Sequence, residues 1–257
     1  MKILAMDTSG LVASAAVVED DNLLAEYTVN YKKTHSQTLV PMVDEISRMI
    51  ELDLDSIDAI AVAAGPGSFT GLRIGSATAK GLGLALNKPL ISVPTVDALA
   101  YNLYGTDKLV CPMMDARRSQ VYTGLYTFDG RELNTLLAQT PMAVEELAEK
   151  INKLGRSVIF LGDGVPVYWE TLEKLLTAEH AYAPAHVNKQ RAAAVAVLAQ
   201  KYFREGKTEP AWEHQPVYLR MSQAEQERQR QNAGGEAAKE NQMRNAGGET
   251  RKENLEG

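Results

Sequence analysis

The sequence predicts an α/β fold in which mixed sheets are covered by helices. Three observations predict it. The chain opens with three strand-like segments too close together for anything but antiparallel pairing. Strand–helix–strand crossovers follow, and these join parallel neighbours. An apolar segment at residues 109–115 then ends in Met-Asp, as residues 2–7 do, and again leads through a turn into a strand.

Residues 2–7 read as a short buried strand, and residues 13–18 and 23–29 as two more, with Asp20, Asp21 and Asn22 at the turn between them. A helix over 36–50 follows. Thr34 and Gln37 have capping-box spacing, and Leu39, Val43, Ile46 and Ile50 recur at helical intervals. Residues 58–64 form a strand without polar alternation. A Gly/Pro turn ends it, and a long helix starts at Thr70 or Gly71. Residues 89–93 are a strand. Thr95 is expected to cap a helix over 96–104, with Asp97 in its first turn.

A second unit begins at Leu109. Strands are expected at 109–115, 120–128 and 133–139, a helix starting at Thr140-Pro141, a strand at 157–161 and helices at 166–176 and 190–204. Residues 215–220 are the last with core character. The likeness of the two units is either a duplicated strand–turn–strand start or a chance similarity of two buried strands. The organisation is therefore 1–105, 106–221 and a tail, 222–257. The tail has no aromatic residue and holds two near-copies, NAGGEAAKEN and NAGGETRKEN. Such a composition cannot bury enough surface to offset its ordering entropy, so disorder is expected.

The chain has 257 residues, 45% of them apolar, which suffices for one sizeable core or two smaller ones. No apolar run approaches the roughly 20 residues of a membrane span, and residues 1–10 lack the features of a signal peptide. Cys111 is the single cysteine, so no intrachain disulfide can form, which suits the cytoplasm. The net charge of −6 argues against a chain that grips RNA alone.

The most informative stretch is GPGSFTGLRIG at residues 65–75, which follows a strand and opens a helix. It lacks the ending of a P-loop and the glycine spacing of a dinucleotide fingerprint, so it is either a structural turn or an anion site. Gly71, Gly75, Ala79 and Gly83 recur every fourth residue, and Ala77, Gly81 and Ala85 make a second small row. Each glycine costs about 1 kcal/mol of helix propensity relative to alanine, so close approach of another backbone must compensate. That backbone is the chain's own sheet or, since small rows occupy two sides, also a second subunit.

MKILAMDTSG, THSQTLVPMVDE, GPGSFTGLRIG with SATAKGLGLAL, and PLISVPTVDALA, in this order, resemble the TsaB (YeaZ) family. The resemblance is strong over residues 1–105 and weak over 106–220, mainly through MMDARRSQVYTGLY. It implies an actin-like (ASKHA, ribonuclease H-like) duplicated two-lobed fold with mixed sheets flanked by helices. It also implies a non-catalytic scaffold or activating subunit in making N6-threonylcarbamoyladenosine (t6A) at position 37 of tRNA. The implied partners are a catalytic actin-like paralogue of the TsaD family and a small ATPase of the TsaE family. ATP, threonylcarbamoyl-adenylate and metal would be used by those partners, with no cofactor of this chain's own, and tRNA would be met only within the complex.

On this reading the helices at 36–50 and 71–86 form the partner-binding face, through Leu39, Val43, Ile46, Ile50, Gly71, Arg73, Gly75, Ala79 and Gly83. Alone, the same face should form a homodimer. Arg73 opposes the helix dipole in the first turn, which suits an anionic partner group or marks a surface arginine without a role.

Catalytic and metal residues are not expected. The paralogue's His-x-x-x-His metal pair falls at about Thr95 and Leu99 here, and no two of the four histidines are four residues apart. Asp7-Thr8-Ser9-Gly10 keeps part of a kinase phosphate turn. Asp115-Ala116-Arg117-Arg118-Ser119 has no glycine and carries two arginines. Asp7, Thr8, Ser9, Arg117 and Arg118 are the candidates for a nucleotide or phosphate contact. The rival readings are an actin-like small-molecule kinase and a zinc-dependent peptidase or transferase.

Overall fold

The computed structural model describes residues 1–31, 34–130 and 132–220, and the expected tail at 222–257 lies outside them. Residues 1–219 form one compact unit. The first sheet is built from β1 (Lys2–Asp7), β2 (Ala13–Glu19), β3 (Asn22–Val29), β4 (Ala59–Gly65) and β5 (Leu90–Pro94) in the order β3-β2-β1-β4-β5. The second contains β6 (Leu109–Asp115), β7 (Gln120–Asp129), β8 (Glu132–Ala143), β9 (Val158–Leu161) and β10 (His180–Tyr182) in the order β10-β9-β6-β7-β8. In each sheet the first strand pairs antiparallel with the second and parallel with the fourth.

The helices repeat in the same way. α1 (His35–Met49), α2 (Phe69–Leu86) and α3 (Thr95–Tyr101) belong to the first half. α4 (Val144–Leu154), α5 (Gly164–Leu175) and α6 (Ala192–Arg204) hold the matching places in the second. The likeness of the two Met-Asp strands is thus part of a duplication that runs through every strand and helix of the two halves.

The repeats interlock. α1 and α2 cover one face of the first sheet through Leu39, Val43, Ile46 and Ala79 against Leu4, Met6 and Val62. Its other face is covered by α6, which lays Ala192, Val195, Ala196 and Ala199 on Ala5, Ala16, Ala59 and Ala61. α3, which closes the first repeat, packs Val96, Leu99 and Ala100 against Val110, Tyr126 and Leu161 of the second sheet. A boundary at residue 105 therefore separates the sheets but not the helices that cover them.

Several elements differ locally from expectation. Thr34 makes no side-chain cap; its carbonyl accepts from Gln37 N at 3.0 Å instead. Thr95 is the first residue of α3, not its cap, and its Oγ1 accepts from Gly65 N at 3.1 Å. Thr140-Pro141 starts no helix: β8 runs on to Ala143, and Pro141 sits in an edge strand, where a missing N–H costs little. Between the helices expected at 166–176 and 190–204 lies β10, a short strand parallel to β9.

Candidate functional site

Three surfaces follow from this architecture: the turns that end β1 and β6, and the outer face of α1 and α2. The first turn is sealed. Ser9 donates to Asp7 Oδ1 from its backbone N at 2.8 Å and from Oγ at 2.6 Å. Thr8 Oγ1 donates to the Gly71 carbonyl at 2.7 Å, and Ser68 N donates to the Ser9 carbonyl at 2.7 Å. A Cβ on Gly71 would lie 2.1 Å from the Thr8 carbonyl oxygen, and one on Gly75 would lie 2.5 Å from Thr8 Oγ1. The glycines let α2 sit directly on the turn. Asp7, Thr8 and Ser9 are buried, and their side chains bond within the chain itself, with Asp7 ordering the turn.

Burial raises the Asp7 carboxyl above the usual aspartate range, against the pull of the Ser9 hydrogen bonds and His35; Asp163 adds to the rise. Asp163 is raised by burial too, opposed by the Asp115 N–H and by Lys189.

The second turn is open. Arg117, Arg118 and Ser119 are exposed, with φ of 62°, 56° and 56°, three successive non-glycine residues in the left-handed region. Each such residue costs roughly 1 kcal/mol or more. Asp115 Oδ1 braces the turn, accepting from Arg117 N at 2.8 Å and from Tyr168 Oη at 3.0 Å, while Asp115 N donates to Asp163 Oδ1 at 3.2 Å. Burial and the Asp115 carboxylate push the Tyr168 phenol up to about 12.

On α1 and α2, the residues expected to meet a partner point inward. Leu39, Val43 and Ile46 are buried and Ile50 packs against them. Gly71, Gly75, Ala79 and Gly83 are buried as well; a Cβ on Gly83 would lie 2.4 Å from Leu90 Cδ1. These eight face the chain's own core. The regularly spaced apolar residues of an amphipathic helix are its core face, and here they serve as that. Of the nine, Arg73 is exposed; it stacks over Phe69 and donates through Nε to Tyr218 Oη at 3.3 Å. Exposed on α2 are Ala77, Gly81, Leu84 and Ala85, and exposed on α1 are Val40, Pro41 and Met49, with Val40 and Met49 on opposite sides of the helix. Gly81 has nothing within 4 Å of where its Cβ would be. Val40, Leu84 and Met49 are 57%, 56% and 75% exposed, high for large apolar side chains.

A strap formed by residues 208–219 runs back along α2. It pairs Glu209 with Leu90 in an antiparallel bridge, accepts Lys80 Nζ at the Trp212 and His214 carbonyls, and donates from Val217 N to the Ala64 carbonyl. Its last part was expected to be core, yet Val217 and Tyr218 are exposed; a backbone bond and the Phe69–Tyr218 ring contact hold it.

The strap also assembles a cluster that sequence reasoning missed. His214 Nδ1 lies 3.0 Å from Ser92 Oγ and 2.8 Å from Glu209 Oε1. A nucleophile–base–acid relay uses both ring nitrogens, one for each neighbour. Here both neighbours converge on Nδ1 and the buried Nε2 has no partner, so the cluster fastens the strap. Ser92 lies more than a hundred residues from Glu209 and His214, and no local pattern announces the three together. His35 faces the Gly10 carbonyl, and His180 faces the Ala178 carbonyl and Glu173. Thr95 and Leu99 are buried. Among the described residues no group of three or more His, Cys, Asp or Glu is placed to hold a metal ion.

Two interlocked repeats, each a five-stranded sheet flanked by helices, with a turn after the first strand of each repeat, define an actin-like protein. The solved structure of YeaZ from Pseudomonas aeruginosa has this fold, with a TM-score of 0.72 and 28% identity over 85% of this chain and 99% of that one. A family model described as TsaD, tRNA N6-adenosine threonylcarbamoyltransferase, matches residues 22–228. The tRNA threonylcarbamoyladenosine biosynthesis protein TsaB of Bacillus subtilis is 33% identical over 227 residues, 88% of this chain and 96% of that protein. TsaB of Escherichia coli is 31% identical over 236 residues, 87% of this chain and 96% of that protein. The chain belongs to the TsaB family.

Proposed function

We propose that this protein is the non-catalytic, activating subunit of the assembly that transfers threonylcarbamoyl to adenosine 37 of tRNA. It acts by binding the catalytic TsaD-family paralogue through the outward face of α1 and α2. The observation that carries the reading is that α2 has two small-residue faces. The first is occupied by the Thr8–Ser9 turn and β5. The second, Ala77-Gly81-Ala85, lies open beside exposed Leu84, with exposed Val40 and Pro41 on α1. Small residues let a partner helix approach closely, and large apolar side chains beside them favour a covered state. The names of the relatives support the pathway.

The remaining partners follow from the same reading. A TsaE-family ATPase joins the complex, and ATP, threonylcarbamoyl-adenylate and metal are handled by the partner subunits. In isolation the face pairs with its copy in a homodimer, in the cytoplasm. No described helix is long and apolar enough to cross a membrane.

Depletion in cells, followed by nucleoside analysis of tRNA, tests the pathway, and co-purification with the TsaD-family paralogue tests the partnership. The modified adenosine is expected to fall and the two chains to co-elute. Unchanged t6A, or separate elution, would overturn the proposal.

A further inference from the structure

We propose that Arg117 and Arg118 contact the phosphodiester backbone of tRNA in the assembled complex. The inference rests on the reading above, which makes tRNA the substrate of that complex. Arg117 and Arg118 are adjacent, exposed residues at the tip of the β6–β7 hairpin, and neither guanidinium engages an acceptor among the described residues. Other cations of the chain do: Arg48 meets Glu45, Arg191 meets Glu26 and Lys201 meets Glu132. The turn's own carboxylates are spent on backbone donors, Asp115 Oδ1 on Arg117 N and Asp163 Oδ1 on Asp115 N, and neither forms an ion pair with the two arginines.

The backbone points the same way. Residues 117–119 lie in the left-handed region without a glycine, although glycine would adopt it without steric cost. Strain of this kind marks a place where side-chain chemistry has outweighed local stability. Asp115, Tyr168 and Asp163 hold the turn in that shape, so the arginines are presented on a braced support. The equivalent turn of the first repeat offers no opposing wall, because Thr8 and Ser9 bond inward. An open tip with two cations and no second wall suits successive phosphates of a polymer better than the compact phosphates of a free nucleotide.

The test uses the complex with the TsaD-family paralogue and an unmodified tRNA transcript, with binding followed by fluorescence anisotropy across a potassium chloride series. R117G/R118G removes both charges and takes the observed φ values without strain, so the chain's Tm should be unchanged or higher. Its log–log salt slope should be shallower by about 2, with affinity at moderate salt lower by about tenfold or more. R117K/R118K keeps the charges and should keep the slope. An intact R117G/R118G complex with the wild-type slope overturns this contact alone. Loss of ATP binding in that variant, with the RNA slope unchanged, assigns the pair to a nucleotide and overturns it too. A wild-type chain that fails to co-elute with the paralogue sinks the functional reading and this contact with it.

Discussion

Gly71 rests on the backbone of Thr8: a Cβ on Gly71 would stand 2.1 Å from the Thr8 carbonyl oxygen, and Thr8 Oγ1 donates to the Gly71 carbonyl at 2.7 Å. The contact ties the start of α2 to the turn after β1 and leaves no room for a methyl group. Gly71→Ala should therefore destabilise the protein by about 2 kcal/mol or more. Gly81→Ala, on the open side, should stabilise it by about 1 kcal/mol through helix propensity. Urea denaturation of both variants checks the contrast; equal effects would mean that the two glycines do not differ in their surroundings.

The interface prediction moves from the buried row to the open one. Gly81→Leu should not destabilise the fold and, like Gly81→Ala, should raise the unfolding free energy by somewhat under about 1 kcal/mol, since leucine nearly matches alanine in helix propensity. It should weaken association with the TsaD-family paralogue, and self-association, by at least about tenfold, a loss of roughly 1.4 kcal/mol. Ala79 is fully buried, so a bulky residue there should damage folding first. Sedimentation of the Gly81→Leu chain alone and in mixture decides the matter; unimpaired assembly would place the partner elsewhere.

Asp7 and Asp163 give stability a defined pH dependence. Burial raises both carboxyls above 3.8, so the folded chain holds these protons more tightly than the unfolded one. Their contribution is full below that value and is lost as pH rises through the folded values. Asp7→Asn keeps an acceptor for Ser9 and removes the buried charge. It should be more stable than wild type at pH 7, with the advantage shrinking toward pH 4. Asp163→Asn should behave alike, and the double variant should gain less than the sum, since the Asp163 carboxylate contributes to the rise at Asp7. Urea midpoints between pH 4 and 8 measure this.

The strap depends on one imidazole. His214→Ala leaves Ser92 Oγ bonded to Glu209 Oε1 at 2.5 Å but removes the imidazole from both, and should cost about 1–3 kcal/mol. Limited proteolysis should then cut within residues 208–219 before the sheets are attacked. A variant as resistant as wild type would show that the bridge to Leu90 and the Lys80 contacts hold the strap alone.

Cys111 should be chemically silent in the folded protein. It is fully buried in β6, and burial pushes its thiol up to about 12. Iodoacetamide at pH 8 should label it only after denaturant is added. Labelling of the native chain at the denatured rate would contradict this packing.

Much of the architecture could be read from residue order. The meander, the crossovers and the two Met-Asp strands specify mixed sheets because strand spacing and apolar runs are local properties. The errors were local too. Thr140-Pro141 matches a helix start, but the edge of a sheet accepts proline as readily. Thr95 has the chemistry of a cap and spends its hydroxyl on Gly65 instead.

Residue order is enough to show that α2 carries small residues on two sides and that the second turn has arginines in place of glycine. Tertiary structure alone decided which side each small row meets. Helical periodicity reports that a face is special, but not whether the chain's own backbone or a partner lies against it. The Thr8 turn, more than sixty residues from Gly71, claims one row and leaves the other open. The strap, the Ser92–Glu209–His214 cluster and the crossing of α6 onto the first sheet arise in the same way, from contacts between distant segments that no window of sequence contains.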